Sequence, residues 1–441
     1  MPEVINGNSH VGDCPSNDTI CAIATAPGGA IGIIRLSGPQ AIVLAGHLLR
    51  RDLSETPGHS VHFGALRGED EAVVDEVLVT LFRQPRSYTG EDAAEISCHG
   101  SPYILQHVMQ LLLAAGARQA LPGEFTQRAF LNGKLDLSQA EAVADLIASQ
   151  SAAAHRMALS QLRGGFSREL GTLRDQLLRL TALLELELDF SEEEVEFADR
   201  HDLQVLCQQV KERIASLTRS FHTGQALKSG VPVAILGAPN VGKSTLLNAL
   251  LRDDRAIVSP IQGTTRDLIE DTILLGGIQF RFIDTAGIRH TSDTIEQMGI
   301  KRSRQAAQRA RILILMSEPG VPEPDIQPTK DQTVIHIQNK TPHFQAINGL
   351  GLADLERQLL AAVPTPEEGD TVVTNLRHFE ALTLALTDIR RVLQALSTSL
   401  PSDLIAQDLR QCLHHLGSIT GGSITSNEVL GSIFREFCVG K

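Results

Sequence analysis

Val231-Pro-Val-Ala-Ile-Leu-Gly237-Ala-Pro-Asn-Val-Gly242-Lys243-Ser244 is an apolar run that ends in the pattern G-x-x-x-x-G-K-S, and Thr245-Leu-Leu-Asn-Ala-Leu-Leu251 continues it with helical spacing. A strand, a glycine-rich loop and a helix start in that order make a phosphate cradle. Glycines let the loop curl until its N–H groups face phosphate oxygens, next to the positive end of the helix. Lys243 then reaches β- and γ-phosphates, and the Ser244 hydroxyl can ligate Mg²⁺. Further along, the polar loop Gly263-Thr-Thr-Arg-Asp267 offers a threonine hydroxyl to the same metal. Asp284-Thr-Ala-Gly287 ends the apolar run Ile278–Ile283, which sets Asp284 near the metal and the Gly287 amide near the γ-phosphate. Phosphoryl transfer needs such positioning and charge neutralisation more than covalent help. Ile288 follows the glycine, where an apolar side chain cannot orient the attacking water, so another group has to.

Outward from this loop, short strands alternate with helices from Val231 to Val363, the pattern of a doubly wound sheet. Leu137–Leu227 reads as long helices: Ser138 and Glu141 form an S-x-x-E capping box, Ala140, Val143, Ala144 and Ile147 follow on one face, and Leu173, Leu177, Leu180 and Leu184 continue the stripe. After the loop Pro364–Asp370 helices return, with stripes at Leu409, Cys412, Leu413 and Leu416 and at Val429, Ile433, Phe434 and Phe437. Each helical block must bury its apolar face, and one helical domain interrupted by the α/β domain satisfies both. Asp18 to Lys134 is glycine-rich with short β-type runs, Ile31–Leu36 and Val77–Phe82 among them, an α+β texture. The expected architecture is an α+β domain over 1–134 (1–17 a flexible extension), a discontinuous helical domain over 135–228 and 367–441, and an inserted P-loop, Ras-like G domain over 229–366.

The 441 residues are enough for about three domains. A 42% apolar and 21% charged composition excludes disordered and collagen-like chains. With 39 basic against 52 acidic residues the net charge is −13, and aromatics are 4% with no Trp, so a nucleic-acid partner must be held by local patches. The acidic run from Ser191 to Glu196 reads as a solvated surface. Cys14, Cys21, Cys98, Cys207, Cys412 and Cys438 lack C-x-x-C spacing, which argues against zinc or a disulfide framework. No apolar run is long enough for a membrane helix, and Met1–Asn17 lacks the form of a secretory signal, so a cytoplasmic protein with no membrane partner is expected.

Segments outside the nucleotide motifs carry a more specific match. Asp18-Thr-Ile through Gly32-Ile-Ile-Arg-Leu-Ser-Gly38, Ser87-Tyr-Thr-Gly-Glu-Asp-Ala-Ala-Glu-Ile-Ser-Cys-His-Gly100, Pro122 to Leu137 and the end Phe437-Cys-Val-Gly-Lys441 join the P-loop and Asp284-Thr-Ala-Gly287 in a chain that resembles, over nearly its whole length, the tRNA-modification GTPases MnmE or TrmE. The resemblance implies GTP bound with Mg²⁺ by Asn240, Val241, Gly242, Lys243, Ser244, Thr245, Asp284, Thr285, Ala286 and Gly287, the metal being ligated by Ser244 and Thr265. It implies a K⁺ site made by Asn240 with Ser259, Ile261 and Thr264, which supplies the charge that an arginine finger gives elsewhere. Glu296, in Thr294-Ile-Glu-Gln-Met-Gly-Ile300, matches the family's catalytic glutamate, which orients the water that Ile288 cannot; Lys243 is the catalytic cation.

The first domain resembles a folate-binding fold related to aminomethyltransferases, where Arg35, Glu95, Lys134 and Lys441 match positions that hold a 5,10-methylene- or 5-formyl-tetrahydrofolate. A carboxylate suits a pterin edge and cations suit the anionic tail. Family membership further implies a homodimer, tRNA as substrate, and an FAD-dependent partner, the glucose-inhibited division protein A (MnmG), in a heterotetramer or larger, together adding a carboxymethylaminomethyl-type group to a wobble uridine. Cys438 matches the terminal Cys-x-Gly-Lys. Two other readings are a switch of the ribosome-assembly type and a folate-binding protein with a decayed G domain. One departure bears on nucleotide selectivity: Thr333–Gln338 leads into Asn339-Lys340, but Thr341-Pro342 puts proline where GTPases have the aspartate that reads guanine, so weak nucleotide binding with reduced discrimination between GTP and ATP or XTP is expected. The stretch Ser317–Gln332, with four prolines, is also short for a helix between strands.

Overall fold

The computed structural model describes residues 18–68, 70–189, 200–252, 271–283, 305–324, 326–364, 370–398, 400–422, 430, 433–434, 437 and 439–440. They pack as two compact units, one from the described residues of 1–144 and 417–441, the other from those of 145–416.

In the first unit, β1 (Ile20–Ile23), β2 (Ile31–Ser37), β3 (Ser60–Arg67), β4 (Val73–Phe82), β5 (Ala93–His99) and the short β6 (Arg118–Gln119) form one sheet in the order β3-β4-β5-β2-β1-β6. All neighbours are antiparallel except β1 and β6. Period-two alternation sorts the faces: Ile34, Leu36, Val79, Leu81, Ala94 and Ile96 are buried with α1 (Ala41–Leu48) and α2 (Pro102–Ala114). Gly32 belongs to that packed face, where a Cβ would stand 2.7 Å from Leu105 Cδ2, so only glycine lets α2 come so close. The opposite face presents Arg35 of β2 directly across from Glu95 of β5.

Beyond α3 (Glu124–Leu131) the chain enters α4 (Leu137–Ala148), and here the reading of its start is corrected. Ser138 and Glu141 lie inside the helix and are buried; the reciprocal box is Asp136 and Gln139, the Gln139 N–H donating to Asp136 Oδ1 and the Asp136 N–H to Gln139 Oε1, both at 2.9 Å. Asp is as good an N-cap as Ser, and Gln serves at the third position, so the competing box two residues earlier wins. Leu137 and Ala140 are thereby turned onto Leu430, Phe434 and Phe437, which buries the last apolar stripe of the chain in this unit. Val429 of that stripe lies outside the described residues.

The second unit combines helices and a sheet. After α5 (Ala152–Leu162), the long α6 (Gly165–Asp189) buries Leu173, Leu177, Leu180 and Leu184 as their spacing requires. α7 (Arg200–Ser229) packs along α10 (Leu376–Ser397), with Phe221 stacked on Phe379 at 4.4 Å between ring centroids. Cys412 of α11 (Ser402–Thr420) sits against the Ala385 carbonyl of α10, so helices from before and after the sheet share one core. The acidic run at 191–196 lies outside the described residues.

Between these helices the chain forms β7 (Val231–Gly237), α8 (Lys243–Arg252), β8 (Asp271–Leu275), β9 (Ile278–Phe282), β10 (Ile312–Ser317), β11 (Thr333–Gln338) and α9 (Leu352–Ala361). The sheet order is β11-β10-β7-β9-β8, with β7 parallel to both β9 and β10 and β8 the antiparallel edge. The chain runs from β7 to β8 and β9 on one side and then crosses from β9 to β10 on the other, which places a topological switch point at the C-terminal end of β7. The loop Gly237–Lys243 sits there. Among the described residues of 318–332 no helix forms, as the prolines require; a bridge between Glu318 and Val321 takes its place.

Candidate functional site

The loop after β7 is shaped by two glycines and by the strand beside it. A Cβ at Gly237 would stand 2.4 Å from the Met316 carbonyl of β10, and Gly242 has φ of 100°. Asn240 takes φ of 64°, a left-handed conformation that asparagine tolerates better than most residues. Lys243, the first residue of α8, donates to the carbonyls of Gly237 and Ala238, each at 2.8 Å. Its ammonium is thus folded back over the loop it closes, and burial pushes it below the ordinary lysine value. Val241 is buried, and Ser244 and Thr245 are half-buried at the start of the helix.

The end of β11 locks this loop. Asn339, 5% exposed, donates from Nδ2 to the Val241 carbonyl at 2.8 Å and accepts the Ala346 N–H on Oδ1 at 3.1 Å. Lys340 reaches the Asn240 carbonyl at 3.3 Å and is ion-paired with Glu318 at the end of β10. A Cβ at Gly242 would stand 2.4 Å from Asn339 Nδ2, so the glycine also makes room for the lock. The sequence offers Asn339 and Lys340 as base-reading residues; their hold on the P-loop follows from the parallel pairing of β7, β10 and β11. Ser259, Ile261, Thr264, Thr265, Asp284, Thr285, Ala286, Gly287 and Glu296 lie outside the described residues.

In the first unit Arg35 and Glu95 meet as the register dictates: Arg35 Nε and Nη2 both reach Glu95 Oε1, at 2.9 and 2.8 Å. Arg35 Nη1 also donates to the Gly440 carbonyl at 3.2 Å, which brings the chain's end to the pair. The Arg35 guanidinium lies 5.8 Å from the ring centroids of Tyr88 and Phe125. Lys134 donates to the Pro85 carbonyl at 2.9 Å, and Lys441 and Cys438 lie outside the described residues. Nothing in the sequence singles out Tyr88 beyond its place in one of the segments that carry the resemblance.

A buried ionic network stands on the same domain. Arg128, 5% exposed, is held by Asp18, Glu91 and the fully buried Glu124, and Arg118 bridges Asp18 and Glu124. Burial alone would raise the Asp18 and Glu124 carboxyls, but hydrogen bonds from Arg118 and Arg128 to Asp18, and from Arg118 and the Leu121 N–H to Glu124, together with the nearby guanidinium charges, outweigh it and hold both below their ordinary values. The network ties the approach to β1 to β6 and α3. Elsewhere the thiols of Cys21 and Cys98 are pushed up to about 11 and that of Cys207 to about 12 by burial, which makes them inert packing groups. Among the described residues no group of three His, Cys, Asp or Glu side chains is placed to hold a metal, and no helix is long and apolar enough to cross a membrane.

Residues 19–134 match the family model of the GTP-binding protein TrmE N-terminus, and 137–438 match that of the MnmE helical domain. The chain is 51% identical over 466 residues to the tRNA modification GTPase MnmE of Bacteroides fragilis (strain YCH46), covering 97% of this chain and all of that protein. It is 50% identical to the protein of the same name in Parabacteroides distasonis (96% of this chain, 100% of that one) and 46% identical to that of Cytophaga hutchinsonii (96% and 98%).

Proposed function

This chain belongs to the MnmE/TrmE family of tRNA-modification GTPases, and from that premise we propose that it hydrolyses GTP in the service of wobble-uridine modification. The observation that carries the nucleotide half is the locked P-loop: a curled glycine loop at the sheet's switch point, closed by a desolvated lysine and pinned from β11 by Asn339. Such a loop is already curled and held by its own hydrogen bonds, so little ordering remains to oppose phosphate binding. Lys243 would move from the Gly237 and Ala238 carbonyls to β- and γ-phosphate oxygens, and Ser244 with Thr265 would ligate Mg²⁺. Asn240, exposed on the outer turn of the loop, would join Ser259, Ile261 and Thr264 around K⁺, and Glu296 would orient the attacking water.

The modification half rests on the Arg35–Glu95 pair on the open face of the first sheet. Glu95 would accept hydrogen bonds from a pterin edge, Tyr88 would border the ring, and Lys134 and Lys441 would take the anionic tail of a tetrahydrofolate. The folate supplies the one-carbon unit when bound. The protein would act in the cytoplasm as a homodimer with the flavoprotein MnmG on tRNA. The test is turnover of the purified full chain with Mg²⁺ and GTP, in K⁺ and in Na⁺ at equal ionic strength. Faster turnover in K⁺, abolished by Lys243→Ala and strongly reduced by Glu296→Ala, supports the reading. Equal rates in the two salts contradict the K⁺ site, and near-normal turnover of Lys243→Ala contradicts the phosphate site.

A further inference from the structure

Guanine differs from the other 6-oxopurines at position 2. Guanine carries an amine there beside the ring N1–H, hypoxanthine carries hydrogen, and xanthine carries a carbonyl oxygen. Reading the guanine pattern takes one acceptor facing both donors, and a carboxylate is the side chain that supplies it.

The side chains available follow β11, because Asn339 and Lys340 touch the P-loop and so set the next few residues beside any base whose phosphates that loop holds. Those residues are Thr341, Pro342, His343 and Phe344. They form a closed turn: the Thr341 N–H donates to the Phe344 carbonyl at 3.1 Å, and Thr341 Oγ1, which accepts the Phe344 N–H at 3.1 Å, itself donates to the Gln338 carbonyl. Gly351 packs beneath, where a Cβ would stand 2.5 Å from the Phe344 ring and 2.9 Å from the His343 carbonyl. Pro342 is exposed and offers no side-chain acceptor. The carboxylate at the neighbouring strand end, Glu318, is taken by Lys340. Asn339 has both ends of its amide bonded within the protein. The pair Asn339-Lys340 is therefore built into the P-loop's support, and the turn beside the base has no carboxylate.

We infer that this chain does not read position 2 of the purine and takes guanine, hypoxanthine and xanthine nucleotides alike. The inference rests on the nucleotide reading proposed above and deepens it. A carboxylate would favour guanine by its 2-amine and repel the 2-carbonyl of xanthine; its absence removes both effects.

Competition against a fluorescent ribose-labelled GDP on the full chain tests it, with GDP, IDP and XDP as competitors and inorganic triphosphate as a probe of the P-loop alone. The three diphosphates are expected to compete within about threefold of one another. In Pro342→Asp, GDP should gain about tenfold or more over XDP, with triphosphate competition unchanged. A native preference for GDP over both IDP and XDP of about thirtyfold or more would overturn the inference, as would an unaltered ranking in a folded Pro342→Asp. Failure of the labelled nucleotide and of triphosphate to bind at all would overturn the nucleotide reading itself, which is a different result from selective binding.

Discussion

Asn339 Nδ2 stands 2.8 Å from the Val241 carbonyl, so the residue that follows β11 fastens the loop that follows β7 across the whole width of β10. The other end of the same amide holds the Ala346 N–H. Asn339→Ala leaves a buried carbonyl and a buried N–H without their partners, at about 1–3 kcal/mol for each group. The variant is expected to lower the thermal midpoint of the second unit and to weaken nucleotide binding by tenfold or more. Gly242→Ala should reproduce the binding defect, since its Cβ would meet the same amide. Nucleotide titration of both folded variants checks this; native affinity in either would show that the fastening does not govern the loop.

The Arg35–Glu95 pair leads to a binding prediction on the first unit. Glu95→Ala should weaken a reduced folate by tenfold or more, the loss of hydrogen bonds to a charged acceptor at about 1.5–3 kcal/mol each. Isothermal titration with 5-formyl-tetrahydrofolate reads it directly. Binding that is unchanged in the variant would remove Glu95 from the site.

How far these residues could be found without coordinates depends on the range of the forces that place them. The P-loop and its two flanking elements follow from a contiguous pattern, β10 from a run that is buried throughout, and β11 from one that alternates buried Ile335 and Ile337 with exposed His336 and Gln338. Arg35 and Glu95 could be named from a resemblance, but their contact comes from the register of β2 on β5, sixty residues apart, which no local spacing encodes. The same holds for Asn339 and Val241. The start of α4 failed for a different reason: two capping boxes two residues apart both satisfy the local rule, and packing of Leu137 and Ala140 onto Phe434 and Phe437 selects the earlier one. Tyr88 and the Arg118–Arg128 network carry no periodic signal at all.

Acid should loosen the first unit through that network. Asp18 and Glu124 are held below their ordinary values in the folded state, so each adds stability that is fully present above the unfolded carboxylate range of about 3.9–4.3 and is lost as pH falls through the lower folded values. Denaturant midpoints should be flat from neutrality to about pH 5 and fall below about pH 4. Arg128→Met should be markedly less stable near pH 7, with the gap to the native chain narrowing as the carboxyls are protonated. A gap that stays constant with pH would show that Arg128 contributes by packing alone.

Lys243 should take up a proton when phosphates arrive. In the free protein burial lowers its value, whereas bound phosphates favour the ammonium, so nucleotide binding in the alkaline range is expected to be accompanied by proton uptake. Calorimetric titrations in buffers of different ionisation enthalpy measure it, with Lys243→Arg as the control whose uptake should vanish. Equal heats in all buffers for the native chain would place no titrating lysine at the phosphates.

Nucleoside analysis of tRNA from cells lacking the protein shows whether this GTPase serves the wobble uridine. The carboxymethylaminomethyl-type uridine should disappear from digests of that tRNA, return with the native chain, and stay absent with Lys243→Ala expressed at the same level. An unchanged nucleoside profile in the deleted strain, or full restoration by Lys243→Ala, would contradict the account.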